Sequence, residues 1–367
     1  MQEIRDDAAL QLQLLVTGMH LSTEFGLTYR QIEADGFAID ARVEMMLAGD
    51  SATSIVKSLA VGLLGCGDAL DRLKPDVVVV FGDRYEIFAA AQAAMMARIP
   101  IAHISGGEIT EGGIDDAIRH SLTKLAYFHF VSAEPYRQRV IQMGEAPDRV
   151  WNCGDPGVEN MHRLVPLSRA ELSAALECDL SGPFFLVTYH PETLTGVSNA
   201  DTVSELFAAL DCFPTHRVVI TKSNADEGGR LINQQIDRYA AAQPGRVFAS
   251  VSLGQLNYSS AMRHCAAVVG NSSSGIVEAP ALRRPTVNIG DRQTGRLMAA
   301  SVLCCGHDRE AIGAALRQAL SPAFQAALPY TQSLYGHGRT STFIKDQLKH
   351  AALTSVVKQF HDRPGPS

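Results

Sequence analysis

Five consecutive apolar residues, Val77-Val78-Val79-Val80-Phe81, run straight into Gly82-Asp83-Arg84. So short a β-branched run is too brief for a buried helix and reads as a central strand of a parallel sheet. The polar turn at its carboxyl end stands where open α/β sheets hold their ligands. The same unit recurs along the chain. Strands are predicted at 10–17, 37–47, 100–104, 127–132 and 149–153, with helices at 24–35, 51–73, from about 85, 114–126 and 134–143. Gly154-Asp155-Pro156-Gly157 breaks this series, and Val165-Pro166-Leu167 reads as a connection to a second one. That second series has strands at 184–189, 217–222, 247–250, 266–269 and 285–289, with helices at 202–213, 227–242 and 254–264. The pattern thins after Arg296, and a closing helix at 341–360 runs into a polar Pro/Gly tail expected to be loose. The fold class is therefore α/β, with two Rossmann-like domains, 1–165 and 166–340, and a cleft between them. A doubly wound domain usually begins with its central strand, whereas this chain opens on Gln2 to Asp7, which resembles the tail of a helix; about twenty further residues are expected upstream.

Composition excludes several functions. A chain of 367 residues with a net charge of -7, pI near 5.9 and no basic run is not built to hold nucleic acid or a membrane surface. The apolar region at 88–104 is interrupted by Gln92 and Arg98, which argues against a span. Seven cysteines without a Cys-x-x-Cys pair fit the reducing cytoplasm and imply no metal. No Gly-x-Gly-x-x-Gly follows a predicted strand, so no nicotinamide or flavin cofactor is expected.

One stretch does point to a ligand. Gly270-Asn271-Ser272-Ser273-Ser274-Gly275 ends a strand and opens a helix. Backbone N–H groups at that helix start, serine hydroxyls and the helix dipole would gather at one spot suited to phosphate. Glu278, one turn on, is placed to accept from a ribose diol; the alternative is a serine-rich turn that only caps a helix. Other polar residues collect at predicted strand ends: Asp83, Arg84, Glu108, Asp115, Asp116, Arg119 and His120 in the first domain, His190, Glu192, Lys222 to Asp226, Arg292 and Arg296 in the second. Taken singly, each fits a cap, a first-turn charge or a structural histidine; their shared position raises them as proton-transfer groups.

The motifs Gly82-Asp83-Arg84-Tyr85-Glu86, His103-Ile104-Ser105-Gly106-Gly107-Glu108, Asp115 to Lys124, His190-Pro191-Glu192-Thr193, Gly270 to Gly275 and Asn288 to Gln293 resemble, in order and spacing, those of the hydrolysing UDP-N-acetylglucosamine 2-epimerases of sialic acid synthesis. The resemblance implies a GT-B-like layout with the closing helix returned to the first domain, and conversion of UDP-GlcNAc and water to ManNAc and UDP. It also implies a cytoplasmic homo-oligomer that needs no cofactor. By elimination UDP leaves C1 as the C2 proton is removed, giving a 2-acetamidoglucal; water then adds. Asp83 and Asp115 become the candidate acid/base pair, with Glu108 in reserve. Arg84, Arg119, His190 and Arg292 become candidates for neutralising the diphosphate, Gly270, Ser272 and Ser273 for holding it, and Glu278 for the ribose. The family's opening Gly-Thr/Ser-Arg-Ala-Asp/Glu-Tyr motif is absent here, and Ser105 stands where a glutamate is frequent. Some relatives that lack this acid use UDP-N,N'-diacetylbacillosamine, which is the alternative substrate. A GT-B glycosyltransferase, a silent nucleotide-sugar binding protein and a non-hydrolysing epimerase are the competing classes.

Overall fold

The computed structural model describes every residue except 50, 112, 193–195, 197, 337, 352, 354, 355 and 364–367. Thr193 and the end of the polar tail, both singled out above, therefore lie outside the described residues. The chain divides into two compact units. One comprises 1–109, 114–159 and 335–367; the other comprises 110–113 and 160–334.

In the first unit, strands β1 (Leu15–Thr17) and β2 (Ala41–Val43) form a parallel pair. Strands β3 (Val78–Phe81), β4 (Ile101–Ile104), β5 (Phe128–Val131) and β6 (Val150–Asn152) form a four-stranded parallel sheet in that order. The helix Ala52–Leu73 starts where the Ser51 hydroxyl accepts the Ser54 N–H and stops at Lys74, whose φ of 47° is left-handed. It is long and apolar enough to cross a membrane, but Cys66, Ala69 and Leu70 are buried in a core shared with Val80, Ala91, Ile101 and Leu122. The helix Thr340–His350 places Ile344 and Leu348 against Ile104, Phe128 and Phe130 of the sheet.

Several expected elements come out shorter or differently placed. The run Val77 to Phe81 forms an edge strand of its sheet, and alternate residues explain the misreading: Val80 is 6% exposed, Val79 40% and Phe81 51%. The strands expected at 10–17 and 37–47 pair only over three residues each. Left-handed Gly26 and Leu27 keep the helix expected from Glu24 from starting before Tyr29. The closing helix ends at His350; further on, Lys358 bonds to Glu145 and Phe360 lies on Gly144.

The second unit has six parallel strands: β7 (Phe184–Thr188), β8 (Arg217–Thr221), β9 (Val247–Ser250), β10 (Ala267–Gly270), β11 (Thr286–Ile289) and β12 (Val302–Cys305). Their order is β12-β11-β10-β7-β8-β9. Read from β9, this is the doubly wound order 3-2-1-4-5-6, whose switch point lies between β7 and β10. Phe185, Val187, Val218, Ile220, Val269 and Val287 fill one face of the sheet, and Phe184, Leu186, Val219 and Val268 the other. Burial on both faces is why β7, β8, β10 and β11 are near-continuous apolar runs with legible bounds.

Candidate active site

In the second unit the switch point is closed by one residue. Asn271, fully buried, accepts the His190 N–H on its Oδ1 at 2.7 Å and donates through Nδ2 to the His190 carbonyl at 2.8 Å. The chain ends of β7 and β10 are thereby locked side by side. Gly270 has φ 127°, and a Cβ there would overlap the Thr188 carbonyl, so only glycine allows this approach. The helix Ser274–Ala281 begins at once, with Ser272 and Ser273 half-buried before it. Ser273 is its N-cap yet makes no side-chain cap bond, and Ser274 is held by Tyr258, whose hydroxyl lies 2.6 Å from the serine oxygen. Arg292, 9% exposed, reaches the Asn271 carbonyl at 3.4 Å, and Gln293 donates to the same oxygen at 2.8 Å. The Asn224 N–H donates to Nδ1 of His190 at 3.2 Å, so the neutral imidazole carries its proton on Nε2. Glu278 is half-buried in the helix, close enough for its charge to act on Tyr258. The five groups named for UDP in this unit, Gly270, Ser272, Ser273, Glu278 and Arg292, thus lie with His190 at or just beyond the carboxyl ends of β7, β10 and β11.

In the first unit the carboxylates gather at the ends of β3 to β5. Arg119 is the organiser: 1% exposed, it is ion-paired through Nη2 with Asp83 and donates through Nη1 to the Glu108 carbonyl at 3.1 Å. Burial of a guanidinium is sustained only by such partners. Glu108, 2% exposed, accepts the Ser132 hydroxyl at 2.7 Å. Asp115 is buried in the first turn of the helix Asp115–Leu125. Asp116, its neighbour, approaches Arg119 at 4.0 Å and His120 at 3.5 Å, a turn away as the spacing predicts. Arg84 lies 3.4 Å from Glu86 and over the ring of Tyr85.

A family model described as UDP-N-acetylglucosamine 2-epimerase matches residues 2–349. The chain belongs to that family. Among its relatives, the GDP/UDP-N,N'-diacetylbacillosamine 2-epimerase (hydrolyzing) of Campylobacter jejuni is 41% identical, over 82% of this chain and 78% of that protein. Polysialic acid biosynthesis protein P7 of Escherichia coli is 39% identical over 84% and 78%. The UDP-N,N'-diacetylbacillosamine 2-epimerase (hydrolyzing) of Legionella pneumophila is 31% identical over 97% and 93%. In fold, the chain is similar to the Neisseria meningitidis UDP-GlcNAc 2-epimerase solved with UDP-GlcNAc, with a TM-score of 0.78 at 18% identity and 95% and 94% coverage. This bears out the reading of two Rossmann-like domains of the GT-B-like class.

Three features of this 2-epimerase family member escape sequence reading. His103 is fully buried, and burial holds its imidazole down to about 4; its Nε2 lies 2.8 Å from the Gly82 carbonyl, fixing the turn that carries Asp83. Asn271 was visible only as one polar residue among serines. Glu192 accepts the Asp291 N–H at 3.1 Å and lies 3.2 Å from His307, joining the loops after β7, β11 and β12. Ligand atoms of Glu192, Asp291 and His307 come within 4.8 Å of one another, and the Glu192 oxygens are already engaged by the other two residues. His307 follows β12, a four-residue strand with two cysteines that carries too weak a pattern to be read.

Proposed function

We propose that this chain is a hydrolysing 2-epimerase of a UDP-2-acetamido sugar, releasing UDP and the free manno-configured sugar through a 2-acetamidoglucal. The observation that carries this reading is the Arg119–Asp83 pair beside Glu108 at the carboxyl edge of the first unit's sheet. A carboxylate held against a buried cation is suited to removing a C2 proton, a step that a plain glycosyl transfer does not include. Asp83 is the base in this scheme, and Asp115 or Glu108 serves the opposite face. Arg119, being buried, acts by holding Asp83 rather than on the diphosphate. Gly270, Ser272 and Ser273 cradle the diphosphate with His190 and Arg292, and Glu278 takes the ribose. The chemistry exchanges a proton and transfers no hydride, so it calls for no redox cofactor. Unpaired thiols at all seven cysteines suit a cytoplasmic enzyme.

The activities named for the relatives at 41% and 31% identity favour UDP-N,N'-diacetylbacillosamine as substrate. The likeness to a polysialic acid biosynthesis protein keeps UDP-GlcNAc as the second reading. Incubation with each sugar nucleotide and mass analysis of the products tests this. Free sugar plus UDP is expected from one of them. A product still bearing UDP would mark a non-hydrolysing epimerase, and no product from either would overturn the proposal.

A further inference from the structure

Two residues at the carboxyl edge of the first unit's sheet have no part in the scheme above. Ser105 directly follows β4, is 7% exposed, and has φ 66°. A residue with a Cβ enters this left-handed region at a cost, and it persists there only where the surroundings hold it. Two glycines follow immediately, so this strained position is occupied by a hydroxyl residue although glycine would be relaxed there. Asp155, 6% exposed, stands beyond the end of β6. The two side chains meet: Ser105 Oγ donates to Asp155 Oδ2 at 3.3 Å. The other carboxylate oxygen, Oδ1, accepts the Gly157 N–H at 2.7 Å, in the first turn of the helix Pro156–Arg163. Backbone bonds fix both residues, from Ser105 N–H to the Phe130 carbonyl and from Asp155 N–H to the Tyr335 carbonyl, each 2.8 Å.

The chemistry of this pair is directional. A serine hydroxyl has one proton and two lone pairs, and an ionised carboxylate only accepts. With its proton committed to Asp155, Ser105 Oγ has only lone pairs to offer elsewhere. We propose that Asp155 is a positioning residue that sets the polarity of Ser105, making the Ser105 oxygen an acceptor for a donor group of the sugar, an acetamido N–H or a ring hydroxyl. This rests on the epimerase reading in that the sugar is taken to reach the strand ends that carry Asp83 and Glu108.

Asp155→Asn separates this role from simple helix capping. The Gly157 N–H still requires an acceptor, so the asparagine carbonyl takes the Oδ1 place and its NH2 faces Ser105. That NH2 donates, and the Ser105 proton is turned toward the sugar's own donor. The expected result is kcat/KM lowered on the order of 10- to 100-fold, with the melting temperature within about 2 °C of wild type because the cap survives. Ser105→Ala should cost less, and adding it to Asp155→Asn should bring activity back up to the Ser105→Ala level. Ser105→Gly should match Ser105→Ala in activity and melt no lower than wild type, since the left-handed backbone is then relaxed. Calorimetric titration with UDP and with UDP-GlcNAc runs alongside: Asp155→Asn should weaken binding of the sugar nucleotide and leave UDP unchanged. Wild-type affinity for both ligands in Asp155→Asn overturns the inference, as does a loss of function that tracks a loss of stability. Absence of UDP release by the wild type is a different failure, that of the epimerase reading, and the titration still decides the role of Asp155.

Discussion

Replacing Gly270 by alanine should open the second unit's sheet at its switch point. Two costs add there. A Cβ at φ 127° is strained by about 1 to 3 kcal/mol, and its overlap with the Thr188 carbonyl forces β7 and β10 apart for about 1 to 3 kcal/mol more. At about 2 to 4 °C per kcal/mol for a unit of this size, the sum lowers the melting transition by roughly 10 °C. The same shift breaks the register of Asn271 on His190, so UDP affinity should fall with it. Gly82→Ala is the internal control. Its φ is 85°, yet nothing lies within 4 Å of the added Cβ, which leaves only a backbone cost of about 1 to 2 kcal/mol. Differential scanning calorimetry with and without UDP reads both variants. If Gly270→Ala melted within about 2 °C of wild type, or above Gly82→Ala, the idea of a close-packed switch point would be wrong.

Other perturbations separate the two units' tasks. Ser272→Ala with Ser273→Ala should weaken UDP binding about tenfold or more, whereas Asp83→Asn should leave it nearly unchanged and remove turnover; equal loss of affinity in both, measured by titration calorimetry, would contradict this division. Acid should destabilise the first unit through His103, which burial holds at about 4 against an ordinary 6.5. A neutral native imidazole gives stability that is fully present above pH 6.5 and lost as pH falls through 4, because the unfolded chain binds the proton first; at pH 5 the loss is about 2 kcal/mol. Urea unfolding at pH 7.5 and 5 checks the sign, and equal or greater stability at pH 5 would refute it. Glu145 adds to the trend at lower pH: burial raises its carboxyl, and hydrogen bonds from His129, Lys124 and Lys358 more than reverse this, to about 2.

Where both faces of a strand are covered, the sequence carried its bounds almost to the residue, as for Phe184–Thr188 and the run before Asn271. Those apolar runs are dictated by burial alone. Legibility failed where local chemistry competes with pattern. Val77 to Phe81 has the composition of an interior strand but lies at an edge, and nothing in five apolar residues reports what covers each face. The helix expected up to Phe360 ends at His350, and Lys358 and Phe360 meet distant residues, Glu145 and Gly144, that periodicity does not reveal. The site behaves similarly. Asp83, Glu108 and Arg119 were readable from their positions after strands and in one helix, and the structure brings them together. Asn271, His103 and His307 act by holding other residues across large sequence separations, which only the fold discloses.

Hydrolytic 2-epimerisation by elimination and hydration has a signature at one atom. The original C2 proton passes to the base as UDP leaves C1, and the proton that returns comes from solvent. In heavy water, proton NMR of the sugar released from UDP-N,N'-diacetylbacillosamine or UDP-GlcNAc should show the manno configuration and deuterium at C2. Release of a free sugar that keeps its C2 proton and its configuration would contradict the epimerase chemistry and leave a simple nucleotide-sugar hydrolase or transferase in its place.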